Sequence, residues 1–277
     1  MKLIFLDIDG TLTLPGHNEP PQSALDVIRR AQAAGHKVFL CSGRNFAMLS
    51  PLLKYGFDGV IASAGGYVVV GDDVIFDCPM PEKEAQEALH LLHSEGVFCT
   101  IEAKDGTWGD EDIGSFLDSQ SGQKGANSEI ERWRKALAED LGIRPMREYD
   151  GRPIYKVVVM ANDMEQLAPA RAALEDRYEF CMQEITDPAH RCINGELIGR
   201  AFDKGRAVKR VCEYMGVPIE DSIGFGDSMN DLQMIETVGY SVVMDNGAEG
   251  LKKIADMVCP AVDQDGMADA FVKLGLV

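Results

Sequence analysis

Solid apolar runs of four or five residues alternate along this chain with segments whose apolar residues recur every three or four positions. Leu3-Ile4-Phe5-Leu6 is the first such run, closed by acidic residues and Gly10. It predicts a strand buried on both faces of a parallel sheet, with a loop at its carboxyl end. After a turn-rich stretch containing Pro15, Gly16, Pro20 and Pro21, residues 23 to 34 place Leu25, Ile28 and Ala31 at helical spacing, and Gly35 follows as a stop. A strand over 37–41, a helix over 45–54, the breaker Gly56 and an apolar run over 60–62 continue the alternation. Strands that alternate with helices predict right-handed βαβ units around a parallel sheet. Tyr67–Val70 and Val74–Phe76 flank Gly71-Asp72-Asp73 as a hairpin does, predicting an antiparallel excursion at the edge.

From residue 82 the pattern changes to that of a separate α+β module. It reads as a helix to 93, extended residues near 97–102, a polar loop over 114–127, a helix near 128–141, a strand over 154–160 and a helix near 164–177. The α/β alternation then resumes, with a helix around 205–215, a strand over 222–225, a helix near 232–237, a strand over 240–243, a helix near 248–255 and a last helix ending at Leu274. The expectation is an α/β fold, a doubly wound, mostly parallel, Rossmann-like sheet core with an inserted α+β cap. Residues 1–81 and 190–277 form the core in this reading and 82–189 the cap.

Composition narrows the function. At 277 residues and 45% hydrophobic content the chain can bury a core without metals or disulfides. A formal charge of -18 repels nucleic acid and anionic membranes at long range, so an anionic substrate requires a local cationic pocket. The seven cysteines form no C-x-x-C pair and indicate neither a zinc site nor a disulfide framework. The five histidines are scattered and suggest no metal cluster or serine triad. The N-terminal apolar run is too short for a signal peptide or a spanning helix, so a cytoplasmic location is expected.

Candidate chemistry lies where predicted strands end. Asp7-Ile8-Asp9-Gly10-Thr11 sets two carboxylates two residues apart at a strand's carboxyl end, where open α/β sheets bind ligands. Ser42-Gly43-Arg44 offers a hydroxyl and main-chain N–H groups at a helix start, a cradle for phosphate oxygens. Lys204 opens another helix, and Gly226-Asp227-Ser228-Met229-Asn230-Asp231 adds a third acidic cluster after a strand.

Taken in order, Asp7-x-Asp9-Gly10-Thr11, Ser42, Lys204 and Gly226-Asp227-x-x-Asn230-Asp231 resemble the four motifs of the haloacid dehalogenase-like phosphohydrolase superfamily. More than a hundred residues separate Ser42 from Lys204, so the insertion resembles the second-position α/β cap of the Cof-like branch. The tail segments 243–248, 255–256 and 265–266 resemble that branch's C-terminal pattern. The resemblance implies a magnesium-dependent phosphatase in which Asp7 is the nucleophile and forms an aspartyl-phosphate, and Asp9 is the general acid and then base. It implies phosphate binding by Ser42, Gly43, Lys204 and Asn230. It also implies magnesium held by Asp7, Asp227 and the main-chain carbonyl of Asp9, with Asp231 and Thr11 in support.

Two positions depart from the family pattern. The branch usually carries an asparagine before a glycine after the third strand, where this chain has Ser63-Ala64-Gly65-Gly66, and Asp245 stands where a small residue is usual. Within the cap, Lys104, Trp108, Arg147, Arg152, Tyr155, Lys156 and Arg191 are candidates for leaving-group contacts. The expected substrate is a small phosphorylated metabolite, sugar phosphates leading, with no nucleic-acid, membrane or obligate protein partner. The alternatives are a phosphomutase or phosphotransferase, which passes the phosphoryl group to a hydroxyl, and a sensor that binds without turnover.

Overall fold

The computed structural model describes residues 1–115, 143–182 and 193–277. Two compact units account for them: Met1–Asp77 with Phe202–Val277, and Cys78–Ala201. The first contains strands β1 (Leu3–Leu6), β2 (Lys37–Cys41), β3 (Gly59–Ala62), β4 (Tyr67–Val70) and β5 (Asp73–Asp77). The second contains β6 (Phe98–Ala103), β7 (Gly106–Gly109), β8 (Ile143–Pro145), β9 (Ile154–Ala161), β10 (Tyr178–Met182) and β11 (Ile193–Gly199). The chain then returns to the first unit with β12 (Ser222–Gly226), β13 (Tyr240–Met244) and β14 (Met257–Cys259).

The sheet of the first unit runs β14-β13-β12-β1-β2-β3-β4-β5, parallel through β3 and closed on one edge by the antiparallel β4–β5 hairpin. Side chains alternate between its two faces. Leu3 and Phe5 of β1 join Phe39, Ala207, Val208, Val211 and Met234 in a core with helix Lys204–Met215. Leu6 and its register partner Phe225 take the opposite face, where Phe225 meets Phe271 of helix Gly266–Lys273 at 5.3 Å between ring centroids. Helices therefore cover both faces, which is why β1 and β2 read as uninterrupted apolar runs.

The second unit is a six-stranded sheet, β10-β11-β9-β6-β7-β8, antiparallel except between β7 and β8. Helices Glu82–Ser94 and Ala168–Leu174 bury Ala85, Ala88, Leu92, Ala170 and Leu174 against Cys99, Ile101, Val157, Val159 and Leu197. On the alternate positions Lys156 Nζ lies 2.7 Å from Glu196 and 3.4 Å from Glu102. Because β11 pairs with both β9 and β10, the return to the first unit comes after Gly199, later than residue 190.

Several elements differ from the hydrophobic reading. The segments near 164–177, 232–237 and 248–255 shorten to helices Ala168–Leu174, Leu232–Ile235 and Glu249–Lys252, each fixed by packing more than by its own propensity. Strands β7, β8, β10, β11 and β14 lack a clear alternating or apolar signal and form through their pairing partners. The helix expected near 128–141, and the loop over 114–127 from residue 116 on, lie outside the described residues.

Six cysteines of the described residues are free, four of them buried. The fold brings His93 beside Cys99 and Asp110, a grouping the scattered histidines did not suggest. Asp110 Oδ2 accepts from Cys99 N at 2.7 Å and lies 3.0 Å from His93 Nε2, so it ties helix Glu82–Ser94 to β6. No helix among the described residues is long and apolar enough to cross a membrane.

Candidate active site

The parallel register sets Leu6 beside Leu40 and Phe225, so the loops after β1, β2 and β12 leave the sheet side by side at its carboxyl edge. Asp7 N still donates to Phe225 O at 2.9 Å, continuing the ladder by one bond. Beyond it the chain turns tightly at Gly10, whose φ is +89°. A Cβ at Gly10 would stand 2.3 Å from Asp227 Oδ2, so both the turn and the approach of Asp227 require glycine there. Thr11 Oγ1 donates to Asp227 Oδ1 at 3.1 Å, holding the loops after β1 and β12 together.

Lys204 is the first residue of its helix, with Asp203 as the N-cap accepting from Arg206 N at 2.7 Å. The residue is 2% exposed, and its ammonium donates to Asp7 Oδ1 at 2.7 Å and Asp231 Oδ1 at 2.6 Å. Burial pulls the ammonium down, but Asp231 and Asp7 outweigh it and hold Lys204 well above its ordinary range. Asp231 is fully buried and its second oxygen accepts from the main-chain N of Asp227 and Ser228 at 3.0 and 3.2 Å. One carboxylate thus orients the lysine and shapes the turn that presents Asp227.

The carboxylates of Asp7, Asp227 and Asp231 bring ligand oxygens within 4.8 Å of one another, against the ammonium of Lys204. Burial, then repulsion from Asp231, pushes Asp7 up from its ordinary 3.8 to about 7 despite Lys204. Burial, then Asp7 and Asp231, also pushes Asp227 well up. Hard oxygen donors in excess of local positive charge fit a hard divalent cation such as magnesium.

Asp9, two residues from Asp7, turns its carboxylate to Arg44 rather than into this cluster. Arg44 Nη2 and Nε donate to its two oxygens at 2.7 and 2.8 Å, and Gly16 N donates to Oδ1 at 2.8 Å. Arg44 ends the segment that carries Ser42 and Gly43, and Ser42 Oγ accepts from Arg44 N at 3.2 Å. The turn after β3 braces this segment: Ser63 N donates to Arg44 O at 2.8 Å and Ala64 N to Ser42 O at 3.0 Å. Ser63 and Ala64 both hold positive φ, 50° and 55°, a strained conformation for residues other than glycine. Asparagine tolerates that region better than alanine, so the departure at Ala64 falls where backbone conformation is demanding. Gly65 lets this turn approach Asp203, whose carbonyl would lie 2.5 Å from a Cβ at 65.

The fold thus brings Asp7, Thr11, Lys204, Asp227 and Asp231 into one hydrogen-bonded group. Ser42 and Gly43 stand on the neighbouring loop, joined through Arg44 to Asp9. Asn230 is exposed and its Oδ1 accepts from Ser228 Oγ at 2.8 Å. One residue with a place in the site was not assigned one from sequence. Asn246 Nδ2 donates to Gly10 O at 2.8 Å while its Oδ1 accepts from Val262 N at 3.0 Å, bracing the loop after β1 from the segment after β13. Its signal was the Met244–Ala248 segment. Beside Ser42, Arg44 is open from sequence to substrate, a carboxylate or a structural salt bridge; folding gives it the Asp9 carboxylate.

Other candidates fall elsewhere. The Asp245 carboxylate is exposed and 3.6 Å from Lys252 Nζ, a solvated pair. Trp108 is fully buried in the core of the second unit, edge-on to Tyr149 at 5.5 Å, and Arg152 pairs with Asp105 and Asp150. Arg147 pairs with Glu111, Lys156 with Glu196 and Glu102, and Arg191 lies outside the described residues.

Comparison with known proteins agrees with this geometry. The family model of haloacid dehalogenase-like hydrolases matches residues 4–271. The Bacillus subtilis protein YkrA is 32% identical over 289 residues, covering all of this chain and 98% of that one. Bacillus subtilis YwtE, a 5-amino-6-(5-phospho-D-ribitylamino)uracil phosphatase, is 27% identical over 97% of this chain and 96% of its own. Among solved structures, the subclass IIB sugar phosphatase BT4131 superposes with a TM-score of 0.78 at 22% identity, covering both chains fully, which speaks to fold. The chain belongs to the haloacid dehalogenase-like hydrolase family.

Proposed function

We propose that this protein is a magnesium-dependent phosphatase of small phosphorylated metabolites, sugar phosphates foremost, acting through an aspartyl-phosphate on Asp7. The observation that carries the reading is the group of buried Asp7 and Asp231 with half-buried Asp227 around Lys204 at the carboxyl edge of a parallel sheet. The phosphatase names among its relatives support the same chemistry. Magnesium would be held by the carboxylates of Asp7 and Asp227 and the carbonyl of Asp9, and Asp231 would keep Asp227 in place. When bound it supplies the positive charge that lets an anionic nucleophile approach an anionic ester.

The remaining chemistry belongs to the chain. Ser42 Oγ already accepts from Arg44 N, so its O–H is the donor a phosphate oxygen would take, with Gly43 N–H beside it. Lys204 neutralises charge on the phosphate and on Asp7. Asp7 attacks phosphorus in line, Asp9 gives its proton to the leaving oxygen, and Asp9 then takes a proton from the water that frees phosphate from Asp7. Choice of leaving group is assigned to the unit Cys78–Ala201. The test is phosphate release from a panel of sugar phosphates, nucleotides and an aryl phosphate, in magnesium and in chelator. Release confined to magnesium is expected. Transfer to a sugar hydroxyl with no free phosphate favours the mutase reading, and binding without turnover of any ester rejects hydrolysis.

The same site predicts a pH-dependent response to the metal. Asp7 stands at about 7 in the folded chain against 3.8 ordinarily. A raised carboxyl contributes stability that is fully present below its unfolded value and is lost as pH rises through the folded one. Without metal, this group therefore weakens the fold progressively between about pH 4 and pH 8. Magnesium binds the ionised carboxylates and offsets that loss. The rise in Tm on adding magnesium is expected to be several degrees larger at pH 8 than at pH 5; thermal denaturation against a chelator control reads it. An equal rise at both pH values would show that these carboxylates do not bind the ion.

A further inference from the structure

We propose that His93, Cys99 and Asp110 form a zinc site in the unit Cys78–Ala201, independent of the phosphatase reading and of the carboxylate group around Lys204. Three separate elements bring the donors together. His93 lies in the last turn of helix Glu82–Ser94, Cys99 is the second residue of β6, and Asp110 directly follows β7. Strands β6 and β7 pair antiparallel with Thr100 opposite Gly109, and Asp110 N donates to Cys99 O at 3.0 Å. The ladder therefore runs one step past β7 and makes Asp110 the cross-strand neighbour of Cys99. Such neighbours share a face of the sheet. Cys99 belongs to the face that Ala85, Ala88 and Leu92 of helix Glu82–Ser94 cover, and the end of that helix lays His93 beside the pair.

The distances and donor types fit one metal ion. A His93 ring nitrogen, the Cys99 sulfur and an Asp110 carboxylate oxygen all lie within 4.8 Å of one another, with His93 Nε2 3.0 Å from Asp110 Oδ2. Donors of a tetrahedral zinc ion stand about 3.3–3.7 Å apart, given zinc–ligand lengths of about 2.0–2.3 Å, so small side-chain rotations complete the set. Magnesium takes oxygen ligands, whereas a thiolate beside an imidazole selects zinc. Zinc would bind Cys99 as the thiolate, its proton passing to solvent, and would take the place of the hydrogen bond between His93 and Asp110. Asp110 Oδ2 also accepts from Cys99 N at 2.7 Å, an outer contact that holds the carboxylate in position. The His93 side chain is 40% exposed and that of Asp110 19%, so the ion has a path from solvent and a water can take the fourth position, above a buried sulfur. A bound ion would clamp the end of helix Glu82–Ser94 to the β6–β7 hairpin.

The experiment titrates cobalt, then zinc, into metal-stripped full-length protein in excess magnesium, which competes for carboxylate-only sites. Cobalt on a thiolate gives a near-ultraviolet charge-transfer band that cobalt on carboxylates lacks. One equivalent is expected to develop the band, and zinc to bleach it. His93→Ala, Cys99→Ala and Asp110→Asn should each weaken zinc binding by about a hundredfold or more, at or beyond the upper end of what losing an outer contact costs. Zinc should raise the Tm of wild type and leave that of the variants unchanged. Absence of the band in wild type overturns the site. So does a band that persists in Cys99→Ala, which would assign the cobalt to another thiol, or an equal zinc-induced rise in Tm in wild type and His93→Ala. If Cys99→Ala does not fold, the more exposed positions decide: wild-type zinc affinity in either His93→Ala or Asp110→Asn rejects the site.

Discussion

Asp7→Asn is expected to lower phosphate release by about ten-thousand-fold or more, the scale seen when a catalytic nucleophile is removed. Asparagine preserves shape but its amide cannot form the acyl-phosphate bond. The same substitution should make the metal-free protein more stable above pH 7. The wild-type carboxyl, pushed to about 7 by burial and by Asp231, must ionise there in a site that already holds Asp227 and Asp231. A neutral amide removes that repulsion, while Lys204 keeps its 2.6 Å bond to Asp231. The expected gain is on the order of 1 kcal/mol or more at pH 8 and vanishes near pH 4, where Asp7 is protonated in either state. Denaturant unfolding in chelator at the two pH values, beside phosphate release, checks both halves. Retained turnover would exclude Asp7 as nucleophile, and a less stable variant at pH 8 would show that Lys204 outweighs the clustered carboxylates.

Lys204→Met carries the second large effect, and both of its consequences point the same way. Methionine fills the buried space but leaves Asp7 and Asp231 without the ammonium that each now contacts within 2.7 Å. Breaking a buried ion pair by removing one partner costs about 3–5 kcal/mol, because the remaining charges stay desolvated. Turnover should fall about a thousandfold as well, since charge on the transferring phosphoryl group loses a fixed counter-charge. Magnesium should restore much of the stability and little of the rate. Lys204→Arg should fail too, because a fork does not fit the two converging oxygens that a point-like ammonium bridges. Unfolding midpoints and initial rates, with and without magnesium, separate the outcomes; a variant of wild-type stability would mean that the carboxylates protonate at little cost.

The comparison of these residues with their sequence signals is uneven. Asp7, Lys204 and Asp227 were legible because each directly follows or opens a strongly patterned element, and Asp9 because it lies in the short loop that Asp7 begins. Β1 and β2 are apolar on both faces, and only a parallel sheet covered on both sides accommodates such runs. The position of the hairpin β4–β5 was legible for a similar reason, since Gly71 and its acidic neighbours interrupt two β-rich runs. Strands β10 and β11 carry glutamates and glycines and become strands only against β9, so the sheet of the second unit was mostly hidden.

What the sequence determined by itself was the alternation that builds the doubly wound sheet and the order in which acidic loops and one lysine leave its carboxyl edge. Local periodicity and chain order suffice for that, because they depend on neighbours a few residues apart. Tertiary structure alone decided the pairings: Arg44 with Asp9 across 35 residues, Lys204 with Asp7 across 197, and Asn246 with Gly10 across 236. It also decided the unusual state of Asp7, whose elevation to about 7 comes from burial first and from Asp231 second. Desolvation and repulsion act through space, and residues this far apart in the chain acquire them only when the sheet sets their loops side by side.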